Sequence, residues 1–193
     1  MSGFARHRRS GHVIATFSGF EADLLRSLAG QLVELLRNEA AVPRHETDPF
    51  ESLLDFSGPT TAPEDPVLAR LFPTAYDDDE AAAEFRRYTE AGLRDGKAAG
   101  AASIIDSLEE AGLPTELTEE GLVIDVEIDQ ATAETWLRSF TDLRLALAVR
   151  LGVEEGDEDF WLSLPDDDPR GQAYDIYHWL GLLQETLVDA VSS

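Results

Sequence analysis

The stretch Leu122-Val123-Ile124-Asp125-Val126-Glu127-Ile128-Asp129, continuing as a helical run from Gln130 to Leu151, decides the fold. Leu122, Ile124, Val126 and Ile128 alternate with Val123, Asp125 and Glu127, the period of a strand with one buried face. From Gln130 the period changes. Trp136, Phe140, Leu143, Leu147 and Leu151 recur at steps of three and four, which gathers them on one face of a helix. Leu137, Leu145, Ala146, Ala148 and Val149 widen that face, so this helix is expected to be buried on most sides. Asp129 stands where an N-cap belongs, and Glu134 lies near the positive end of the helix dipole.

On the N-terminal side, residues 4–9 and 12–17 read as two short strands around Ser10-Gly11. Phe4, Val13, Ala15 and Phe17 are the inward candidates of this hairpin. Ser18 and Glu21 have capping-box spacing and open a helix to about Ala40, with Leu25, Leu28, Leu32 and Leu35 as its stripe. Leu24, Val33 and Leu36 lie beside that stripe, and Val42-Pro43 stops the helix. Asp48-Pro49-Phe50-Glu51 and Asp65-Pro66 each join an N-cap to a proline in the first turn. Short helices are therefore expected through Leu53, Leu54 and Phe56, ending at Gly58-Pro59, and through Val67, Leu68, Leu71 and Phe72, ending at Pro73. Residues 78–112, with Phe85, Tyr88, Ile104, Ile105 and Leu108 apolar and a centre softened by Gly92, Gly96 and Gly100, read as one long helix in preference to two with a break near Gly96. Small residues at 98–102 leave room for a second helix to approach.

Beyond Leu151, residues 154–159 form an acidic turn, and Phe160, Trp161, Leu162 and Leu164 a short hydrophobic plug. Asp168-Pro169 opens a last helix carrying Ala173, Ile176, Tyr177, Leu180, Leu183, Leu187 and Val191. The expected fold is mostly α with a small antiparallel β element (α+β), with five or six helices and about three strands. The strand at 122–128 is expected to pair with the N-terminal hairpin. At 193 residues the chain suits one domain over 1–193, a basic hairpin at 4–17 packed on a helical body at 19–191.

Charge is the unusual part of the composition. There are 39 Asp and Glu against 15 Lys and Arg, a formal net charge of −24. The first 17 residues hold Arg6, Arg8 and Arg9 and no acid, so the acids all lie in the remainder. Such a surface repels DNA and anionic membrane and suits solubility or a basic protein partner. There is no cysteine, which excludes disulfides, thiolate catalysis, thiol redox sensing and Cys-ligated metal centres. No apolar run approaches a membrane span, and the apolar residues at 13–17 are too few for a signal-peptide core, so a cytoplasmic location is expected.

No motif fixes a chemistry. The runs Asp77-Asp78-Asp79-Glu80 and Asp166-Asp167-Asp168 sit at helix starts, where carboxylates cap free N–H groups, and lack the ligand alternation of a calcium loop. The acids at 154–159 lack it too. His7, His12, His45 and His178 have no metal-binding helical spacing, and Asp175 three residues before His178 reads as a surface pair. Dinucleotide-binding glycines, a P-loop and a serine nucleophile elbow are absent. Catalytic residues, metal and cofactor are accordingly none. The binding candidates are Arg6, Arg8 and Arg9 with His7 and His12 on the hairpin, which could touch a phosphate or an acidic strip, or neutralise this chain's own surface. Three arginines are too few for tight DNA binding alone.

Gly3-Phe4 with the basic hairpin, Phe20-Glu21-Ala22, Arg44-His45-Glu46 with Asp48-Pro49, the run Pro66-Val67-Leu68-Ala69-Arg70-Leu71-Phe72-Pro73-Thr74-Ala75-Tyr76, and Asp175-Ile176-Tyr177-His178-Trp179-Leu180 resemble an actinobacterial family of uncharacterised proteins. Members carry one domain of unknown function and are often encoded beside the Clp protease adaptor. Some are labelled oxidative-stress transcriptional regulators, with cysteine-based redox sensing and a sigma-factor partner. The resemblance covers essentially the whole chain and implies a regulatory role. The sensing chemistry does not carry over, because this chain has no cysteine. The expectation is therefore a non-enzymatic cytoplasmic regulatory or adaptor protein that acts through protein–protein contacts. The alternative is a transcription regulator contacting DNA or a sigma factor, with Arg6, Arg8 and Arg9 on phosphates. An enzyme built on converging carboxylates is the third possibility.

Overall fold

The computed structural model describes residues 3–38, 59–117, 121–165 and 167–193. Strands β1 (Phe4–Arg6) and β2 (Val13–Ser18) lead into helix α1 (Gly19–Asn38). There follow α2 (Pro66–Leu71), α3 (Asp79–Glu110), β3 (Val123–Ile128), α4 (Gln130–Leu151), α5 (Glu158–Leu162) and α6 (Pro169–Ser192). The architecture is mostly helical with one small antiparallel sheet: six helices and three strands among the described residues. The first strand stops at Arg6 rather than at residue 9, because His7 to Gly11 turn back through the Gly11 N–H to His7 carbonyl bond. Gly11 takes a positive φ of 74° there, a conformation that a Cβ disfavours. The short helix expected after Asp48 lies outside the described residues.

Helix starts behave as their sequences imply. The Ser18 amide donates to the Glu21 carboxylate at 2.8 Å, and the Glu21 amide returns a bond to the Ser18 hydroxyl at 3.2 Å, a reciprocal capping box. Asp65 receives the amides of Val67 and Leu68, Asp78 that of Ala81, Asp129 that of Thr132, and Asp168 that of Arg170. These aspartates satisfy N–H groups that the helix itself cannot reach.

The sheet order is β1-β2-β3, with Val13 opposite Ile128 and Phe17 opposite Ile124. Phe4, Val13, Ala15, Phe17, Ile124, Val126 and Ile128 form its buried face. Phe4 is the knot. Its ring meets Phe17 and Trp136 edge-on, each at 5.8 Å, and Trp136 meets Phe140 edge-on at 5.9 Å. Burying each such side chain contributes roughly 1.5–3 kcal/mol, which holds the hairpin against α4. α6 covers the outer edge of β1, where the Phe4 amide donates to the Thr186 hydroxyl at 3.1 Å.

α3 is one unbroken helix of 32 residues. Nothing lies within 4 Å of a Cβ built at Gly92 or Gly96, so these glycines only soften an exposed face. Gly100 is different. A Cβ there would stand 2.9 Å from the Ser139 hydroxyl on α4, so this glycine lets the two helices approach at the small-residue stretch.

Three expectations about burial are corrected. Phe85 and Tyr88 are not core: Tyr88 is 70% exposed, because the inner stripe of this part of α3 is Arg86, Glu90 and Arg94. Of the α4 stripe, Trp136, Phe140 and Leu143 are buried, whereas Leu147 and Leu151 are half-buried. The α4 residues 144–149 are half-buried on all sides, since the sheet covers only the first half of this helix. Of the hydrophobic plug, Trp161 is buried and stacks on Tyr174 at 5.0 Å and Leu164 is half-buried, while Phe160 and Leu162 are 50% and 79% exposed. A five-residue helix has one face, and α6 takes only the Trp161 side.

Candidate functional site: an open strand edge beside an acidic cleft

The register of the sheet determines where β3 sends its backbone groups. The Gly19 amide donates to the Leu122 carbonyl at 2.7 Å, one step beyond the Ser18–Val123 pair. In an antiparallel ladder such bonded pairs alternate with unbonded ones. Ile124, Val126 and Ile128 therefore direct their N–H and C=O groups to β2. Val123, Asp125 and Glu127 direct theirs away from it, toward the free edge of the sheet. Among the described residues these outward groups have no hydrogen-bond partner. At the opposite edge, on β1, the Phe4 amide donates to the Thr186 hydroxyl and the Arg6 side chain reaches the Val191 carbonyl.

A cleft of about 430 Å³ runs beside this edge. Ser107, Glu110 and Ala111 at the end of α3 form one wall. Asp125, Glu127 and Asp129 form the other, with His12 and Thr132 at its end. The Asp125 carboxylate accepts from the Thr16 hydroxyl at 2.7 Å, and Glu127 is shared by the Ser10 hydroxyl at 3.1 Å and His12 Nδ1 at 3.0 Å. Asp129 caps α4, and the amide and hydroxyl of Thr132 hold its carboxyl below the ordinary value. Neither Arg nor Lys pairs with any of these four acids among the described residues. The cleft is thus strongly negative and attracts cations. A general acid needs a carboxyl raised by burial, whereas Asp129 is displaced the other way.

The arginines singled out in the sequence lie on the far side of the hairpin turn. Arg6 donates to the Val191 carbonyl at 3.4 Å and so ties β1 to the end of α6. Arg8 and Arg9 are exposed on the turn and make no hydrogen bond or ion pair with a described residue. The expected neutralising contact with this chain's own acids is therefore not made by the arginines. The histidines make the local contacts of the hairpin, His7 with the Ser10 hydroxyl at 2.8 Å and His12 with the Glu127 carboxylate at 3.0 Å. Asp175 and His178 are both exposed and form no pair with each other. Asp78 and Asp168 are caps, as their positions imply, and Asp166 lies outside the described residues. Among the described residues no group of three or more His, Asp or Glu is arranged to hold a metal ion.

Sequence reasoning missed the buried charges. Glu90 is 2% exposed, and its carboxylate meets Arg86 at 2.5 Å and Arg94 at 2.7 Å. Arg86 also donates to the Phe72 carbonyl, and Arg94 lies over the Phe72 ring at 4.8 Å. Lys97 reaches the buried Asp142 on α4 at 2.6 Å. The steps of four from Arg86 to Glu90 to Arg94 were visible, but the same spacing marks an exposed helix face. The open edge was also missed, though two observations on the sequence pointed to it. β3 follows a loop rather than a second hairpin, and its outer row Val123, Asp125, Glu127 contains no lysine or proline to blunt an edge.

No helix of the described residues is long and apolar enough to cross a membrane. No solved structure matches the chain. Two mycobacterial proteins named "Oxidative stress regulator AosR", from Mycobacterium bovis and Mycobacterium tuberculosis, are each 33% identical to it over 187 residues. Each alignment covers 87% of this chain and 77% of the relative. A third relative, from Mycobacterium leprae, is 32% identical over 186 residues, 89% of this chain and 78% of its own. The model of a family described as "Domain of unknown function (DUF2017)" matches residues 1–191. The chain belongs to the DUF2017 family.

Proposed function

We propose that this chain is a non-enzymatic regulatory protein of the cytoplasm that works by binding another protein, with residues 1–193 acting as one unit. The observation that carries this reading is the β3 edge: among the described residues, three outward N–H and three outward C=O groups have no hydrogen-bond partner, beside an acidic cleft. Edges of this kind are templates for another chain. The names of the mycobacterial relatives supply the setting, a response to oxidative stress. With no cysteine, the signal is not read by a thiol of this chain, which fits delivery through a partner. Affinity capture from the native cell, with and without peroxide, tests the reading. Retention of a specific protein partner in stoichiometric amount supports it. Recovery of none after crosslinking counts against it.

A second reading has Arg6, Arg8 and Arg9 contact DNA phosphates or a sigma factor. Arg8 and Arg9, exposed and with no partner among the described residues, favour it, and the net charge of −24 opposes it. Binding to a duplex is measured across salt concentrations for the wild type and the triple alanine variant. Unchanged affinity in the variant, or no binding at low salt, removes this reading.

A further inference from the structure

We infer that the β3 edge receives an extended basic segment of a partner protein as a fourth antiparallel strand, with two cationic residues opposite Glu127 and Asp125 and an aliphatic one opposite Val123. This rests on the protein-binding reading above and specifies its surface and its partner.

The alternation of the sheet sets the pattern. Val123, Asp125 and Glu127 present backbone groups at the edge, and their side chains share the outer face, away from the core side chains of Ile124, Val126 and Ile128. A residue of an added strand that lies opposite each of these three puts its own side chain on the same face, about 4.5–5.5 Å away between Cβ atoms. Opposite Glu127 and Asp125 that neighbour is best cationic. Opposite Val123, which is 56% exposed, it is best β-branched. Intervening residues point the other way, toward the α3 wall at Ser107 and Ala111, where small side chains fit. An antiparallel partner read from its N-terminus then has a cation, a small residue, a cation, a small residue and an aliphatic. The antiparallel direction follows the rest of the sheet and the greater stability of that pairing.

Charge also selects against the nearest competing occupant, a second copy of this chain. A symmetric β3–β3 pairing centred on Asp125 would set the two Asp125 carboxylates opposite each other, and like charges directly opposed destabilise a sheet. The acids thus guard the edge against self-association while leaving it open to a basic strand. Glu110 across the cleft and Asp129 beside Glu127 add to the same attraction, with no Arg or Lys paired to either among the described residues.

The full-length chain is titrated with the synthetic peptide Arg-Thr-Arg-Thr-Val carrying blocked ends, and amide exchange is followed by nuclear magnetic resonance. Saturable binding with slowed exchange at the amides of Val123, Asp125 and Glu127 supports the proposal. Absence of binding at low salt overturns it. So does equal binding of Arg-Arg-Thr-Thr-Val, or binding with no protection on β3, since either shows charge attraction alone. Asp125→Pro removes the central outward N–H while sparing the ladder to β2, and abolishes binding. Asp125→Asn with Glu127→Gln, which keeps the backbone intact, weakens binding roughly 2- to 30-fold, the worth of two cross-strand charge pairs. Unchanged affinity in the charge variant overturns the assignment even if Asp125→Pro fails to fold. A native partner captured equally well by Asp125→Pro would refute this surface and leave the protein-binding reading standing.

Discussion

Replacing Glu90 by leucine leaves two buried guanidinium groups without the carboxylate between them. Arg86 and Arg94 are each 8% exposed, and Glu90 bonds Arg86 at 2.5 Å and Arg94 at 2.7 and 2.9 Å. At an exposed site the loss would be within about 1 kcal/mol. Here water cannot take over from the carboxylate, and removing one partner of a buried network costs about 3–5 kcal/mol. For a chain of this length each kcal/mol lowers the melting midpoint by about 2–4 °C, so a drop of roughly 6–20 °C is expected. The assay is urea and thermal unfolding followed by far-ultraviolet circular dichroism, on Glu90→Leu and the wild type side by side. High salt leaves the difference largely intact, because buried pairs are poorly screened. A second variant separates charge from shape. Arg86→Met, Glu90→Leu and Arg94→Met together remove these three charges and recover most of the loss, although the Phe72 and Leu36 carbonyls lose their Arg86 and Arg94 donors. An unfolding free energy within about 1 kcal/mol of wild type for Glu90→Leu alone would refute the burial argument.

The glycines of α3 are expected to separate by position. Gly92→Ala and Gly96→Ala face open space and each raise stability by about 0.5–1 kcal/mol in urea unfolding, whereas Gly100→Val drives a side chain into Ser139 and lowers it. Acid stability follows from the caps. Arg170 and its amide draw the Asp168 carboxyl below 3.8, Thr132 does the same to Asp129, and at Asp65 burial pushes up but Arg150 with the Val67 and Leu68 amides pulls further down. A depressed folded-state value means that this stability is full above the unfolded value near 3.8 and is lost as pH falls through the folded values. Melting midpoints should therefore hold level from neutral pH to about 5 and decline below about 4, and a decline between pH 7 and 6 would contradict this assignment.

Those caps were legible because they are local. Asp129, Asp65-Pro66 and Ser18 with Glu21 act on amides two or three residues away, so spacing alone predicts them. The alternation of β3 and the stripe through Trp136 and Phe140 were legible because a sheet face or helix face must be buried somewhere. What the neighbours decide was not legible. Phe85 and Tyr88 look like core in sequence, yet α3 turns Arg86, Glu90 and Arg94 inward, because Phe72 offers a carbonyl and a ring there. Leu162 stands in solvent because α6 packs on the Trp161 side of α5. For the site, Arg6, Arg8 and Arg9 stood out as the basic part of an acidic chain. The open edge depends on pairing register and on which strand has no neighbour, and neither is a property of a single segment.

Hydrogen exchange of the free full-length chain, resolved residue by residue along β3, tests the central claim most directly. The outward amides of Val123, Asp125 and Glu127 should exchange rapidly, while those of Ile124, Val126 and Ile128 are protected by their bonds to β2. If all six are equally protected, the edge is already covered and no partner strand can be accommodated.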